Sequence, residues 1–184
     1  MAFKEIPISR ANRLINHGPV ILVTSHLGDR MNVMTAAWQM PVSFNPMLIA
    51  VAVGTGRFTH HLIKESGEFV VNVPHIGIAE KVWCCGSCSG KETDKFSLCG
   101  LTPVKAKKVG APLIEECIGH IECRLHAAYS AGDHTIFVGE VLAASVQEDV
   151  FDERLKVELD SAKTIHHLGG KTFCRPGTVS SVEK

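Results

Sequence analysis

The sequence predicts a mainly β protein, a largely antiparallel barrel with a few helices around it. Three observations carry that class. The apolar runs are strand-like, rich in β-branched residues and closed by glycine or proline. They outnumber the helical patterns and do not alternate with them, as a doubly wound parallel sheet would require. The two longest, residues 119–132 and 134–147, meet at Gly132-Asp133, a turn dipeptide that makes them a hairpin.

The elements follow in chain order. Residues 9–16, "SRANRLIN", read as a helix with Ser9 as N-cap and Leu14 and Ile15 for burial. "PVILVTSH" (19–26) is a strand bounded by Gly18 and Gly28. "MNVMTAAW" (31–38) fits an edge strand after a turn, and "MLIAVAVG" (47–54) is a continuous apolar run, as in a strand buried on both faces. "TGRFTHHLIKESG" (55–67) sets Phe58, Leu62 and Ile63 on one helical face and stops at Gly67. "EFVVNVP" (68–74) is a strand closed by Pro74. "HIGIAEKVWCCG" (75–86) puts Ile78, Val82 and Cys85 on one helical stripe, and "GSCSGKETDKF" (86–96) is a polar loop. With no internal repeat and no low-complexity linker, one domain over residues 1–184 is expected.

Composition narrows the function classes. Apolar residues make up 45% and charged residues 21%, as in a folded globular chain rather than a disordered one. Nineteen basic residues balance nineteen acidic ones, which gives no reason to expect nucleic acid or an anionic membrane surface. The first residues carry Lys4, Glu5 and Arg10 without a long apolar stretch, unlike a signal peptide. The apolar runs are too short to span a bilayer. Seven cysteines without an export signal read as free thiols in a reducing cytoplasm, not as a disulfide framework.

Several short stretches carry chemistry. "GTGRFT" (54–59) follows a strand and precedes a helix, but it lacks the third glycine and the later acidic residue of a dinucleotide fingerprint. What remains is a helix N-terminus with Arg57 and Thr59 beside it, an anion site. An ordinary turn with a solvated arginine is an equal alternative. Asn32 and Thr35 stand beside the small Ala36 and Ala37, which would let a planar ligand approach the backbone. The alternative there is an edge strand with Met31 and Met34 filling the core. In "SGKETDKF" (89–96), Lys91 or Lys95 would neutralise a phosphate, or simply belong to a solvated charged loop.

Cys85-x-x-Cys88 has no second pair at zinc spacing and no thioredoxin-like setting, so no metal site is expected. Of the ten histidines, His134 directly follows the hairpin turn, where a barrel mouth would receive a substrate. A surface histidine is its bland reading. Neither a Gly-x-Ser-x-Gly elbow nor a His-Glu-x-x-His helix occurs, which leaves hydrolase chemistry without support.

Taken in order, "NVMTAAWQMPVSFNPMLIAVAV", "RFTHHLIKESGEFVVNVP", "SGKETDKF", "GLTPVKAKKVGAPLIEECIGHIECRL" and "GDHTIFVGEV" resemble the flavin reductase-like FMN-binding family, of flavoredoxin and ferric reductase type. The resemblance runs from about residue 17 to residue 175. It implies an FMN-binding split barrel, a Greek-key antiparallel barrel with flanking helices, usually a homodimer with flavin near the interface. It places Asn32, Val33, Met34 and Thr35 along the isoalloxazine edge. Arg57 and Thr59, with Thr55, go to the phosphate. Lys91, Asp94 and Lys95 are brought to the flavin or its phosphate, His134 to the open ring face, and His167 and Gly169 to the closing segment.

The implied activity is NAD(P)H-dependent reduction of flavin or ferric complexes through bound FMN. Its rivals are a flavoredoxin-like carrier that exchanges electrons with a redox partner protein, and a sensing protein that has lost flavin.

Overall fold

The computed structural model describes residues 4–182. A 3-10 helix, Ile8–Leu14, precedes the hairpin of β1 (Ile21–Leu27) and β2 (Arg30–Ala36). β3 (Gln39–Phe44) and β4 (Met47–Gly54) form a second hairpin, followed by α1 (Phe58–Ser66) and β5 (Glu68–Val73). Next come α2 (Ala79–Ser87), α3 (Lys95–Cys99) and the short pair β6 (Pro103–Val104) and β7 (Leu113–Ile114). The long β8 (Gly119–Ala131) and β9 (His134–Val146) follow, and a small hairpin of β10 (His166–Gly169) and β11 (Thr172–Cys174) closes the described chain.

Seven strands form one antiparallel sheet in the order β2-β1-β5-β8-β9-β4-β3. Its two terminal strands, β2 and β3, are consecutive in sequence and joined only through Ala37 and Trp38. So short a link brings the two edges together. The sheet therefore curls into a barrel that stays split between them, the architecture expected from sequence.

Period-two alternation decides what each face does. Ile21 and Val23 of β1 enter the barrel interior with Val51, Val53, Phe69, Val71 and Phe137, and Ile63 of α1 joins them. Leu22 of β1 and Val33 of β2 look the other way, onto Val82 and Cys85 of α2 and Phe96 and Cys99 of α3. The interior is tight at Gly139. A Cβ there would lie 2.4 Å from Cζ of Phe69 and 2.9 Å from Cβ of Cys123, so only hydrogen fits. The β8–β9 turn bears out the hairpin expectation: Gly132 has φ of 61° and Asp133 does not take positive φ. α1 ends at Gly67 with φ of 69°, the left-handed cap expected there.

Two expectations are corrected and one is borne out. The N-terminal segment is a 3-10 helix, and Leu14 and Ile15 are exposed rather than buried. β4 carries buried residues on both faces, as expected: Val51 and Val53 are in the core, and on the other face Ala50 is buried and Ala52 half-buried. Cys84 and Cys99 are joined in a disulfide between α2 and α3, against the expectation that all seven thiols are free. The two residues lie fifteen apart on neighbouring helices, a tertiary proximity that cysteine spacing does not encode.

Candidate functional site

Two adjoining cavities open where β2, α1 and α2 meet. The larger, about 410 Å³, is walled by Met34 to Trp38, Trp83, His134 and Phe173, among others. That is within the range of small-molecule sites. The smaller, about 130 Å³, lies between the start of α1, the end of α2 and Lys95. Met34, Thr35, Arg57 and Gly86 line both, so the two form one continuous trough.

The small end is built for an anion. α1 begins without a side-chain cap, so its first-turn N–H groups beside Gly56, Phe58 and Thr59 have no side-chain acceptor. Lys95 is buried and its Nζ donates to the Cys85 carbonyl at 2.7 Å. Burial pulls its pKa below the ordinary lysine value, and nearby Arg57 pulls in the same direction. Among the described residues no carboxylate lines this cavity. A buried ammonium satisfied by one carbonyl is costly unless an anion joins it.

Thr59 and Asn32 complete this end. Asn32 Nδ2 donates to Thr59 Oγ1 at 2.7 Å, and both side chains are buried. With its oxygen occupied as acceptor, the Thr59 hydroxyl keeps its hydrogen for another partner. Asn32 Oδ1 is buried without a hydrogen-bond partner and lies against Gly90, where a Cβ would come within 1.9 Å. Arg30 ties the loop carrying Ser89 and Gly90 to β2, donating to the carbonyls of Gly90 (3.0 Å) and Lys91 (2.7 Å). Its guanidinium also sits 4.4 Å from the centre of the Phe58 ring.

The large end is flat and aromatic. Trp38 and His134 stack with ring centres 4.9 Å apart, and Trp83 meets Phe173 edge-on at 6.1 Å. Asp133 accepts from His134 Nδ1 at 2.6 Å, which leaves Nε2 of the neutral ring as an acceptor. The hydrogen bond it accepts from His134 also holds the Asp133 carboxyl below its usual range. Because β2 ends the sheet, its outward amides have no strand partner where Met34, Thr35 and Ala36 line the trough. Gly86 of α2 packs directly against β2, where a Cβ would lie 3.5 Å from Cβ of Thr35, and the Thr35 hydroxyl donates to the Val82 carbonyl at 2.6 Å.

The structure brings many of the expected residues together. Met34, Thr35 and Arg57 line both cavities, Asn32, Thr59 and Lys95 the small one, and His134 and His167 the large one. Others fall elsewhere. Val33 is buried on the helix side of β2, because neighbouring strand residues point to opposite faces. Thr55 hydrogen-bonds the Asp133 carbonyl at 3.3 Å. Asp94 caps α3 through the amides of Phe96 and Ser97, and with Lys91 it lines a separate cavity. Gly169 lies beside the large cavity, packed on Arg13, while Gly170 lines it.

Sequence reasoning missed Asn12, Arg13, Asn16, Trp38, Trp83 and Phe173. These arrive from both ends of the chain, from the β2–β3 link and, for Trp83, from α2, and no local pattern marks them. Of the five remaining thiols, Cys85, Cys117 and Cys123 are buried and Cys174 is exposed. Burial pushes Cys85 and Cys123 up to about 12 and Cys117 higher still, while Cys88 donates to the Cys84 carbonyl. Among the described residues no helix is long and apolar enough to cross a membrane.

Residues 13–166 match the flavin reductase-like domain family. The "uncharacterized protein YddH" of Escherichia coli K12 is 40% identical over 181 residues, covering 95% of both chains. An "NADH-dependent FAD reductase" of Streptomyces globisporus is 33% identical over 119 residues, 64% of each chain. Among solved structures, the flavoredoxin of Methanosarcina acetivorans superimposes with a TM-score of 0.86 at 26% identity, covering 98% of this chain and 95% of its own.

Proposed function

The chain belongs to the flavin reductase-like domain family, and from that premise we propose that it binds FMN and uses it to move electrons from NAD(P)H to an acceptor. The observation that carries the FMN reading is the buried Lys95, facing an anion-sized cavity beside Arg57, Thr59 and an uncapped helix start. A phosphate monoester matches that end, and a flat ring matches the larger cavity beside β2. The orphaned Asn32 oxygen marks the same end as built for polar company.

In this reading Lys95, Arg57 and Thr59 hold the phosphate, and Asn32 aims the Thr59 hydroxyl. The unpaired edge of β2 receives the polar rim of the ring. Bound FMN supplies the redox chemistry, taking up a hydride and passing electrons on. Trp38 and His134 form the wall on which a nicotinamide is positioned, and the Asp133 hydrogen bond fixes the His134 ring. No side chain is required as a strong acid or base. An NADH-dependent relative supports the choice of donor.

We also propose a homodimer. The terminal strand β3 exposes Met40, Val42 and Phe44, the last 94% exposed, and Ile8, Leu14 and Ile15 add apolar surface from the N-terminal turn. An uncovered edge strand with such residues needs a partner. An apolar groove lined by Ile15, Trp38, Met40 and Ala52 joins that face to the flavin trough. Sedimentation of the wild type and of Phe44→Glu tests this: a dimer that the variant weakens is expected, and a monomeric wild type overturns it.

The donor is tested by the visible spectrum of FMN-loaded protein under anaerobic NADH and then NADPH. Bleaching by either is expected. A flavin that only dithionite bleaches would favour a carrier served by a redox partner protein.

A further inference from the structure

The large cavity has a cation that FMN does not use. Arg13 stands at its outer rim on the N-terminal 3-10 helix, while the phosphate cluster of Arg57, Thr59 and Lys95 is at the other end of the trough. Arg13 packs on the β10–β11 hairpin: a Cβ at Gly169 would lie 3.2 Å from its Cζ and Nη1. From the same hairpin comes His167, whose Nε2 donates to the Gly170 carbonyl at 3.1 Å.

The local charge is one-sided. No carboxylate lines the large cavity, and Arg13 takes part in none of the ion pairs among the described residues. Asn12 and Asn16, on the same turn, add amide donors to the rim. Asn16, with its amide oriented to satisfy both partners, accepts from Trp38 Nε1 at 2.8 Å and donates to the Ala37 carbonyl at 3.2 Å. That pair anchors the turn to the Trp38–His134 wall. The guanidinium is thus held at the rim of the wall assigned to the nicotinamide, unpaired.

We propose that Arg13 forms a second anion subsite that receives the diphosphate group of a dihydronicotinamide dinucleotide. This rests on the reading of the trough as an FMN and NAD(P)H site. Arg13 is then a residue of donor recognition, placed outside the cofactor's own contacts. A guanidinium offers paired donors to a diphosphate, which neutral donors lack.

The test uses FMN-loaded protein and two kinds of donor. Anaerobic stopped-flow gives the concentration dependence of bleaching by NADH, by NADPH, and by the neutral 1-benzyl-1,4-dihydronicotinamide. Arg13→Gln is expected to weaken the apparent affinity for the dinucleotides about tenfold, the effect of losing one charged contact. It should shift the neutral donor less than twofold, and Arg13→Lys should recover part of the loss. Unchanged dinucleotide affinity, or an equal loss for charged and neutral donors, overturns the proposal.

A second readout does not depend on turnover. Calorimetric titration of inorganic pyrophosphate into FMN-loaded protein should show binding that Arg13→Gln abolishes. If no dihydronicotinamide bleaches the wild type, the donor reading fails, and this titration still decides the subsite. Binding that requires Arg13 supports it. No binding, or binding indifferent to Arg13, overturns it.

Discussion

The two ends of the trough are built on different principles. The small end is assembled from buried side chains on interior elements: Asn32 on β2, Thr59 on α1 and Lys95 on α3. The large end is assembled from half-exposed rings on the β2–β3 link, the β8–β9 turn and the two terminal segments. Buried, mutually bonded groups give strength to one fixed contact, here the phosphate of a cofactor. Exposed rings and a solvent-facing cation give selectivity among visitors. On the proposed reading, cofactor affinity would rest mainly on the first set of residues and donor choice mainly on the second, a division that single substitutions can test.

The sharpest break is at Lys95. Replacing it with Met removes a buried charge-assisted contact to the phosphate, worth about 1.5–3 kcal/mol. The FMN dissociation constant, read from fluorescence quenching, should rise roughly 10- to 100-fold. Riboflavin, which has no phosphate, should bind the variant as it binds the wild type.

At the other end, His134→Ala should leave the FMN dissociation constant within about threefold and slow the bleaching of bound flavin by NAD(P)H about tenfold or more, the scale of one lost positioning contact. Stopped-flow at saturating donor checks it. Equal rates in variant and wild type would remove His134 from the nicotinamide wall.

The pH dependence of FMN affinity also separates the ends. Burial holds the Lys95 pKa below the ordinary 10.5. A bound phosphate favours the protonated ammonium, so binding raises that pKa and takes up a proton. Affinity is therefore full while Lys95 is protonated and declines as pH rises through the free-protein value, a window that begins below 10.5. In Lys95→Arg, whose charge does not titrate there, the decline should vanish. Fluorescence titrations across alkaline pH read both curves.

Two smaller effects concern the scaffold that both ends share. Gly139→Ala forces a methyl against Phe69 inside the barrel and should cost about 1–3 kcal/mol of unfolding free energy, measured by denaturant melts. The Cys84–Cys99 bond joins the two helices that flank Lys95. In denaturant without reductant, five thiols should titrate, and seven after reduction. Seven in both would mean the pair is reduced in the protein as isolated.

The same contrast explains what was legible in the sequence. The strand runs, the Gly132 turn and the Gly67 cap are local patterns, and the barrel follows from them. Arg57 and Thr59 were legible because a strand-to-helix turn exposes its amides wherever it occurs. Lys95 was named together with Lys91 and Asp94, but burial distinguishes them: Lys95 turns into the cavity, while Asp94 is used by its own helix as a cap. The Val33 side chain packs onto α2 and α3, which leaves its backbone for the ring edge that the resemblance implies. Arg13, Trp83 and Phe173 reach the large end only through tertiary contacts between distant segments, and the Cys84–Cys99 bond depends on the packing of α2 on α3. No spacing rule reports either.

The account stands or falls on the phosphate end. Titrating the flavin-free protein with FMN and with riboflavin, by fluorescence quenching under the same conditions, tests it most directly. The account predicts that FMN binds at least about 100-fold more tightly, the combined effect of the lysine, arginine and hydroxyl contacts to its phosphate. Equal affinities for the two flavins would contradict it, and the small cavity would then need another occupant.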